Sequence, residues 1–156
     1  MIKIIRGSEE NADLIGDMIS ELLKELDKKN FTRILPKTEL IKWIQDNMYI
    51  VFIAEYEKNN EPVGLITLTE ARSIYADGIF GIIQEFYVKP LHRSQHIGKK
   101  LLDHAINYGR THKWRRLEVG TPDKTNWMRS YSFYVKNGFV EIGPRLKLIL
   151  TNSFEL

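Results

Sequence analysis

The stretch Val88-Lys89-Pro90-Leu91-His92-Arg93-Ser94-Gln95-His96-Ile97-Gly98-Lys99-Lys100-Leu101-Leu102 decides the fold of this 156-residue chain. An apolar run that ends at Val88 is followed by a basic turn, and apolar residues with helical spacing follow the turn. A strand that turns directly into a helix points the unpaired N–H groups of that helix at whatever lies above the turn. The basic side chains add positive charge, so the sequence predicts a site for an anion such as a phosphate or pyrophosphate.

A second motif follows further along the chain. Ser132-Phe133-Tyr134-Val135-Lys136-Asn137-Gly138-Phe139 contains an F-Y-x-x-x-G-F run, whereas the first stretch reads V-x-P-x-x-R-x-Q-x-I-G-K. In this order and spacing the two motifs resemble the signatures of the GNAT superfamily of acyl-CoA-dependent N-acyltransferases. The first is similar to the loop that holds the pyrophosphate of acetyl-CoA, and the second to the C-terminal signature of the superfamily.

Hydrophobic periodicity predicts the element order β-α-α-β-β-β-α-β-α-β-β, with the last two strands at Phe139–Ile142 and Leu146–Leu150. This order indicates an α/β protein of the α+β type. The resemblance implies one GNAT-like domain over residues 1–156, with a mixed, largely antiparallel sheet of six to seven strands and about four helices. It also implies a sheet that splays in its middle, where Phe86-Tyr87-Val88 part from a strand at Arg116–Thr121.

The resemblance also implies acetyl-CoA as a co-substrate and a set of residues that contact it. The Val88 N–H is the candidate donor to the oxyanion that develops on the acyl carbonyl, since the superfamily's splayed strand offers an unpaired N–H there. The predicted contacts to the donor are Phe86, Tyr87, Val88, Arg93, Ser94, Gln95, His96, Ile97, Gly98, Lys99 and Asn126.

The chain departs from the superfamily pattern at two positions. His96 stands where the loop usually has a glycine, which is favoured for positive φ or for a close approach of the backbone to the pyrophosphate. Either the loop keeps its shape under some strain, or the imidazole contacts the phosphates. Trp127 stands where an asparagine commonly contacts the donor, and the neighbouring Asn126 is the candidate for that role.

Two residues are candidates for proton transfer. Glu85 is a carboxylate in an otherwise apolar strand, which suits a base that takes a proton from the attacking amine. The alternative is that Glu85 faces solvent or forms an ion pair, and strand alternation places Gln84 and Glu85 on opposite sides of the sheet. Tyr134 is by resemblance the acid that protonates the leaving thiolate, and its alternative is a core aromatic residue.

Composition restricts the remaining classes of function. The chain has a net charge of +3 and no cysteine, which excludes disulfides, thiolate metal sites and a cysteine nucleophile. The four histidines show no paired ligand pattern, so no metal is expected. No signal peptide or membrane-spanning run is present, and we expect a cytoplasmic protein that does not bind membranes; a homodimer is compatible with the sequence.

Three classes of function remain compatible with these residues. The leading prediction is an N-acetyltransferase that moves an acetyl group from acetyl-CoA directly to a primary amine of a small molecule or peptide. The alternative is a catalytically weak acyl-CoA-binding module with a regulatory role. A nucleic-acid-binding domain is disfavoured because exposed aromatic residues do not alternate with the basic ones.

Overall fold

The computed structural model of the protein describes residues 1–26 and 35–150. Within these ranges the chain forms five strands and four α-helices. The strands are β1 (Ile2–Arg6), β2 (Ile50–Tyr56), β3 (Pro62–Ser73), β4 (Gly78–Val88) and β5 (Leu117–Val119). The helices are α1 (Ala12–Leu26), α2 (Lys37–Gln45), α3 (Ile97–Thr111) and α4 (Met128–Lys136).

The chain divides into two compact units, Met1–Val119 and Gly120–Leu156. The first unit contains the whole sheet and α1 to α3, and the second contains α4 and the segments on either side of it. That one domain spans residues 1–156 stays a prediction. In the part of the chain that the structure describes, no helix is both long enough and apolar enough to cross a bilayer.

The sheet has the strand order β1-β2-β3-β4-β5. The first four strands are antiparallel to their neighbours, and β5 is parallel to β4. The predicted fold class, α+β with a mixed and largely antiparallel sheet, is therefore confirmed. The predicted splay is also present, because β5 pairs with β4 only over Gly81–Ile83 while β4 continues to Val88.

The predicted strand number of six to seven was too high. Residues 139–150 form no strand, and their large apolar side chains from Val140 onwards are exposed. Apolar alternation shows that side chains suit a pleated surface, but a strand exists only where its backbone pairs with a neighbour. The predicted strands without such pairing are Phe139–Ile142 and Leu146–Leu150.

The core on one face of the sheet is formed with α1 and α2. Buried side chains from both helices pack on alternate residues of β2 to β4, because alternate residues of a strand point to the same face. Tyr87 is the member from β4, and the partly buried Tyr49, directly before β2, packs against the same cluster. The buried members are Ala12, Ile15, Met18, Leu40, Ile44, Val51, Ile53, Leu65 and Tyr87.

The opposite face of the sheet carries α3. Leu101, Leu102 and Ala105 of this helix are buried, at the helical spacing seen in the sequence. The Trp114 ring packs against two glycines, Gly81 of β4 and Gly109 of α3. A Cβ added at Gly81 would lie 2.1 Å from the ring, and one added at Gly109 would lie 2.7 Å from it. These contacts hold α3 against β4, which positions the turn between them.

Candidate active site

A break in the register between β3 and β4 determines which way the central carboxylate points. Thr67 pairs with Glu85, but Leu68 pairs with Ile83, so that Gln84 is an extra residue in β4. Such a β-bulge changes the alternation of the strand and re-aims the side chains after it. Gln84 Nε2 donates to Thr69 Oγ1 at 2.9 Å, and Glu85 contacts Thr67. Thr67 and Thr69 lie on the same face, so the prediction that Gln84 and Glu85 face opposite sides was wrong.

Glu85 is half-buried and is held by two hydroxyl groups. The Tyr49 hydroxyl and Thr67 Oγ1 each donate a short hydrogen bond to Glu85 Oε2. Thr67 Oγ1 also accepts the Glu85 N–H at 2.9 Å, and Thr67 is fully buried. Among the described residues the carboxylate forms no ion pair, and its contacts are with these two hydroxyl groups; its role as a base stays a prediction.

The end of β4 has an open backbone edge on the side away from β3. The Lys89 N–H donates to the Val63 carbonyl of β3 at 2.8 Å. Because alternate residues of a strand direct their N–H groups to opposite sides, the Val88 N–H points away from β3. β5 pairs with β4 only up to Ile83, so no strand lies beside Val88 on that side in the described part of the chain.

The turn after β4 has the backbone geometry that a glycine would usually provide. Ser94 and His96 have φ values of 66° and 61°, both in the left-handed region. His96 is the N-cap of α3 and its side chain makes no capping hydrogen bond. The backbone of His96 therefore fits the interpretation that the loop keeps its glycine-like conformation under some strain. The strain arises because a residue with a Cβ is disfavoured in the left-handed region.

The first turn of α3 presents unpaired backbone N–H groups. The first intrahelical bond runs from the Lys100 N–H to the His96 carbonyl at 3.1 Å. Helix geometry leaves the amides of the three residues before Lys100 without an intrahelical acceptor. Ile97 is buried and anchors the helix, while Gly98 is half-buried and Lys99 is exposed. This helix end can therefore hold an anion by its amides and its dipole.

Arg93 has two local partners in the structure. Its guanidinium binds both carboxylate oxygens of Glu25 in α1, at 2.7 Å and 2.9 Å, and its Nε donates to the Val88 carbonyl at 2.8 Å. Burial and the negative charge of Glu25 raise the pKa of the neighbouring Tyr87. Arg93 therefore joins the turn to α1 and to the end of β4.

The remaining candidates near the turn make local contacts. The exposed Lys99 forms an ion pair with Asp103 one turn further along α3. Gln95 Oε1 accepts a hydrogen bond from the Tyr56 hydroxyl at 3.2 Å, and the same hydroxyl lies 2.9 Å from His92 Nδ1. Phe86 is half-buried on the α3 face, opposite to Glu85.

The second unit contains the other two candidates. Tyr134 on α4 is buried, with its ring 5.6 Å from that of Phe133 and 5.4 Å from that of Phe139. Burial raises the pKa of the Tyr134 hydroxyl well above its ordinary value, so this phenol stays protonated at neutral pH. Asn126 is exposed before α4 and its Nδ2 donates to Asp123 Oδ2 at 2.9 Å.

Sequence reasoning missed the two residues that hold Glu85. Thr67 continues the alternation of Val63 and Leu65 in β3, and a hydroxyl in such an apolar series indicates a buried polar group that needs a partner. Tyr49 carried no comparable signal, because its contact with Glu85 arises only from the fold. Among the described residues, no group of three or more His, Asp or Glu side chains could hold a metal ion.

Comparisons with known proteins identify the family and the fold of the chain. The family model described as "Acetyltransferase (GNAT) family" matches residues 17–139. The fold is similar to that of an aminoglycoside acetyltransferase from an uncultured soil metagenomic sample, with a TM-score of 0.78, 22% identity, and 97% of each chain covered. The search of curated proteins found no significant match to this chain.

Two further solved structures share the fold. A predicted acetyltransferase with acetyl-CoA from Clostridium acetobutylicum has a TM-score of 0.79 and 18% identity, over 96% of this chain and 97% of that one. A ribosomal-protein-alanine N-acetyltransferase from Brucella melitensis biovar Abortus 2308 has a TM-score of 0.74 and 14% identity, over 96% of this chain and 100% of that one. At these identities the likeness concerns the fold alone.

The strained backbone of His96 yields a prediction on stability. His96→Gly should raise the free energy of unfolding by about 0.5–1 kcal/mol, since it removes a Cβ from a left-handed position. Denaturant unfolding measures the change. The control is His104→Gly inside α3, which should lower the same free energy by about 1 kcal/mol. A loss of stability in His96→Gly as large as in the control would contradict the strained-backbone interpretation and indicate a contact of the imidazole.

Proposed function

The chain belongs to the acetyltransferase (GNAT) family, and on that premise we propose that it moves an acetyl group from acetyl-CoA directly to a primary amine. The observation that carries this proposal is the uncapped start of α3 directly after a strand whose end is unpaired on one side. The first feature suits the pyrophosphate of the donor and the second suits its extended arm and acyl carbonyl.

The residues of the turn offer the donor the backbone amides at the start of α3, where the exposed Lys100 also lies. Ser94 and His96 both adopt left-handed φ, which turns the chain so that the amides at the start of α3 face one way. Arg93 and Lys99 already have carboxylate partners, Glu25 and Asp103. We therefore assign the pyrophosphate to the amides of the first turn, with Arg93 fixing the turn against α1.

The open edge of β4 supplies a donor for the developing oxyanion. When an amine attacks a thioester, a C–N bond forms and negative charge collects on the acyl oxygen before the C–S bond breaks. The Val88 N–H points away from β3 and can donate a hydrogen bond to that oxygen without any rearrangement of the sheet.

Glu85 and Tyr134 are assigned to the two proton transfers. The nitrogen of the attacking amine loses a proton, which the Glu85 carboxylate accepts directly or through a water molecule. The leaving thiolate needs a proton, which the protonated phenol of Tyr134 can supply. The two residues belong to different units of the chain. A separate variant tests each assignment.

The acceptor is proposed as a class rather than as a compound. One structurally similar protein is an aminoglycoside acetyltransferase and another is a ribosomal-protein-alanine N-acetyltransferase. Both names describe acceptors that carry primary amines. We propose a small-molecule or peptide amine for this chain as well; the cytoplasmic location and the homodimer stay predictions.

The proposed function predicts amine-dependent release of CoA from acetyl-CoA. Sisomicin, spermidine and a peptide with N-terminal alanine serve as acceptors, and mass spectrometry identifies the acetylated product. The matched variant Glu85→Gln should bind acetyl-CoA normally and lose about 10²–10⁴-fold in turnover, the range for one general base. Calorimetry that detects no acetyl-CoA binding would overturn the proposal. Binding without turnover of any amine would instead favour the regulatory acyl-CoA-binding module.

The assignment of Tyr134 predicts a separate loss of turnover. Tyr134→Phe should keep the affinity for acetyl-CoA and lower turnover by about 10²-fold, because the thiolate loses its proton donor. The control is Tyr131→Phe on the same helix, which should retain the native rate. If Tyr134→Phe turns over normally, water supplies the proton. If it loses donor affinity and unfolds at a lower temperature, Tyr134 is a core aromatic residue instead.

A further inference from the structure

The side chains of Tyr49, Thr67 and Glu85 are connected by hydrogen bonds within the first unit. Tyr49 stands directly before β2, Thr67 lies in β3 and Glu85 in β4, so three separate segments meet at one carboxylate. The Tyr49 ring is fixed by the ring of Trp43 from α2, with centroids 5.6 Å apart, and by the core against α1 and α2. Tyr49 therefore holds its hydroxyl in place by the packing of its ring.

Both hydroxyl donors bind the same carboxylate oxygen. Tyr49 and Thr67 donate to Glu85 Oε2, and the Tyr49 and Thr67 oxygens lie 3.4 Å apart. Oε1 has no hydrogen-bond partner among the described residues and is not fully buried. The carboxylate thus has one fixed oxygen and one oxygen that can take a proton.

We propose that Tyr49 and Thr67 are positioning residues that hold Glu85 Oε2 so that Oε1 accepts the proton of the attacking amine; this inference rests on the proposed function. Two donors on one oxygen stop the carboxylate from rotating and stabilise its charged form. Thr67 fixes the backbone of Glu85 as well, since its Oγ1 accepts the Glu85 N–H. The proton passes from the ammonium nitrogen to Oε1, and the nitrogen keeps the electron pair that forms the amide.

Tyr49 is a donor in this group and not a second base. Burial, and then the negative charge of Glu85, raise the pKa of Tyr49 far above its ordinary value, so its hydroxyl keeps its proton at neutral pH. Other titratable groups on this face, among the described residues, include Arg93, Glu25 and Glu21 near Tyr87, two residues along β4. They also include the Arg116–Glu118 ion pair beside β4, whose Glu118 accepts a hydrogen bond from the Tyr75 hydroxyl.

The inference predicts that removal of one hydroxyl changes the pH dependence and not the affinity for the donor. Tyr49→Phe keeps the ring and removes the hydroxyl, so the acidic limb of the pH–rate profile should move to higher pH because the carboxylate loses one of its two donors. KM for acetyl-CoA should stay the same. Thr67→Val should act similarly, whereas Thr67→Ser, which retains the hydroxyl, should restore the native profile.

Two controls separate positioning from general damage. Tyr108→Phe alters a half-buried tyrosine on α3, on the other face of the sheet, and should leave the profile unchanged. In the background of Glu85→Gln, Tyr49→Phe should cause no further loss of turnover, because its only effect is on the carboxylate. A native pH profile in Tyr49→Phe, or an additive loss in the double variant, would overturn the inference while leaving the proposed function intact.

A measurement independent of turnover completes the test. Isotope-edited NMR follows the titration of the Glu85 carboxyl carbon, which is assigned by its disappearance in Glu85→Gln. The midpoint should move to higher pH in Tyr49→Phe and stay in place in Tyr108→Phe; an unmoved midpoint in Tyr49→Phe would overturn the role of the two hydroxyl groups. If the native protein turned over no amine at all, Glu85 would not be a base, and the inference would fail together with the proposed function.

Discussion

The break in register at Gln84 is the constraint on which the site depends. Before this break, the backbone groups of Ile79 and Gly81 point towards β5. The Ile79 carbonyl accepts a hydrogen bond from the Arg115 N–H, and the Gly81 N–H donates to the Arg116 carbonyl. A strand without the extra residue would continue this alternation and direct Glu85 towards α3. With it, Glu85 shares a face with Tyr87, α1 and α2, and the Val88 N–H points to the unpaired side of β4. One extra residue therefore sets the direction of a carboxylate and of a backbone donor.

In the proposed function, this region would hold a polyanion although the chain has little net charge. The positive side chains of the turn that stand out in the sequence, Arg93 and Lys99, are paired with carboxylates. The backbone amides at the start of α3 supply positive ends without any basic residue, and the exposed Lys100 lies in the same first turn of the helix. The Glu25–Arg93 pair also joins α1 to this turn, and it thereby links the proposed donor-binding segment to the helices that pack over the Glu85 face.

The sequence was sufficient to predict the fold class and the turn before α3. It was not sufficient to predict that the side chains of Tyr49, Thr67 and Glu85 contact one another. Local motifs predicted the strand, turn and α3 because each depends on neighbouring residues, and the left-handed φ of His96 agrees with one of the two interpretations of its glycine-like position. The bulge at Gln84 arises from pairing with β3, and Tyr49 meets Glu85 across a long stretch of chain; neither leaves a periodic signal. The strands predicted in residues 139–150 failed for the related reason that pairing cannot be read from alternation alone.

The most direct test of the proposed site is a crystal structure of the protein with acetyl-CoA. We expect the pyrophosphate to contact the backbone amides at the start of α3, and the thioester carbonyl to accept a hydrogen bond from the Val88 N–H. Glu85 Oε2 should keep Tyr49 and Thr67 as its donors while Oε1 faces the acyl carbon. A structure in which the Val88 N–H pairs with another strand, or in which Glu85 points towards α3, would contradict this arrangement.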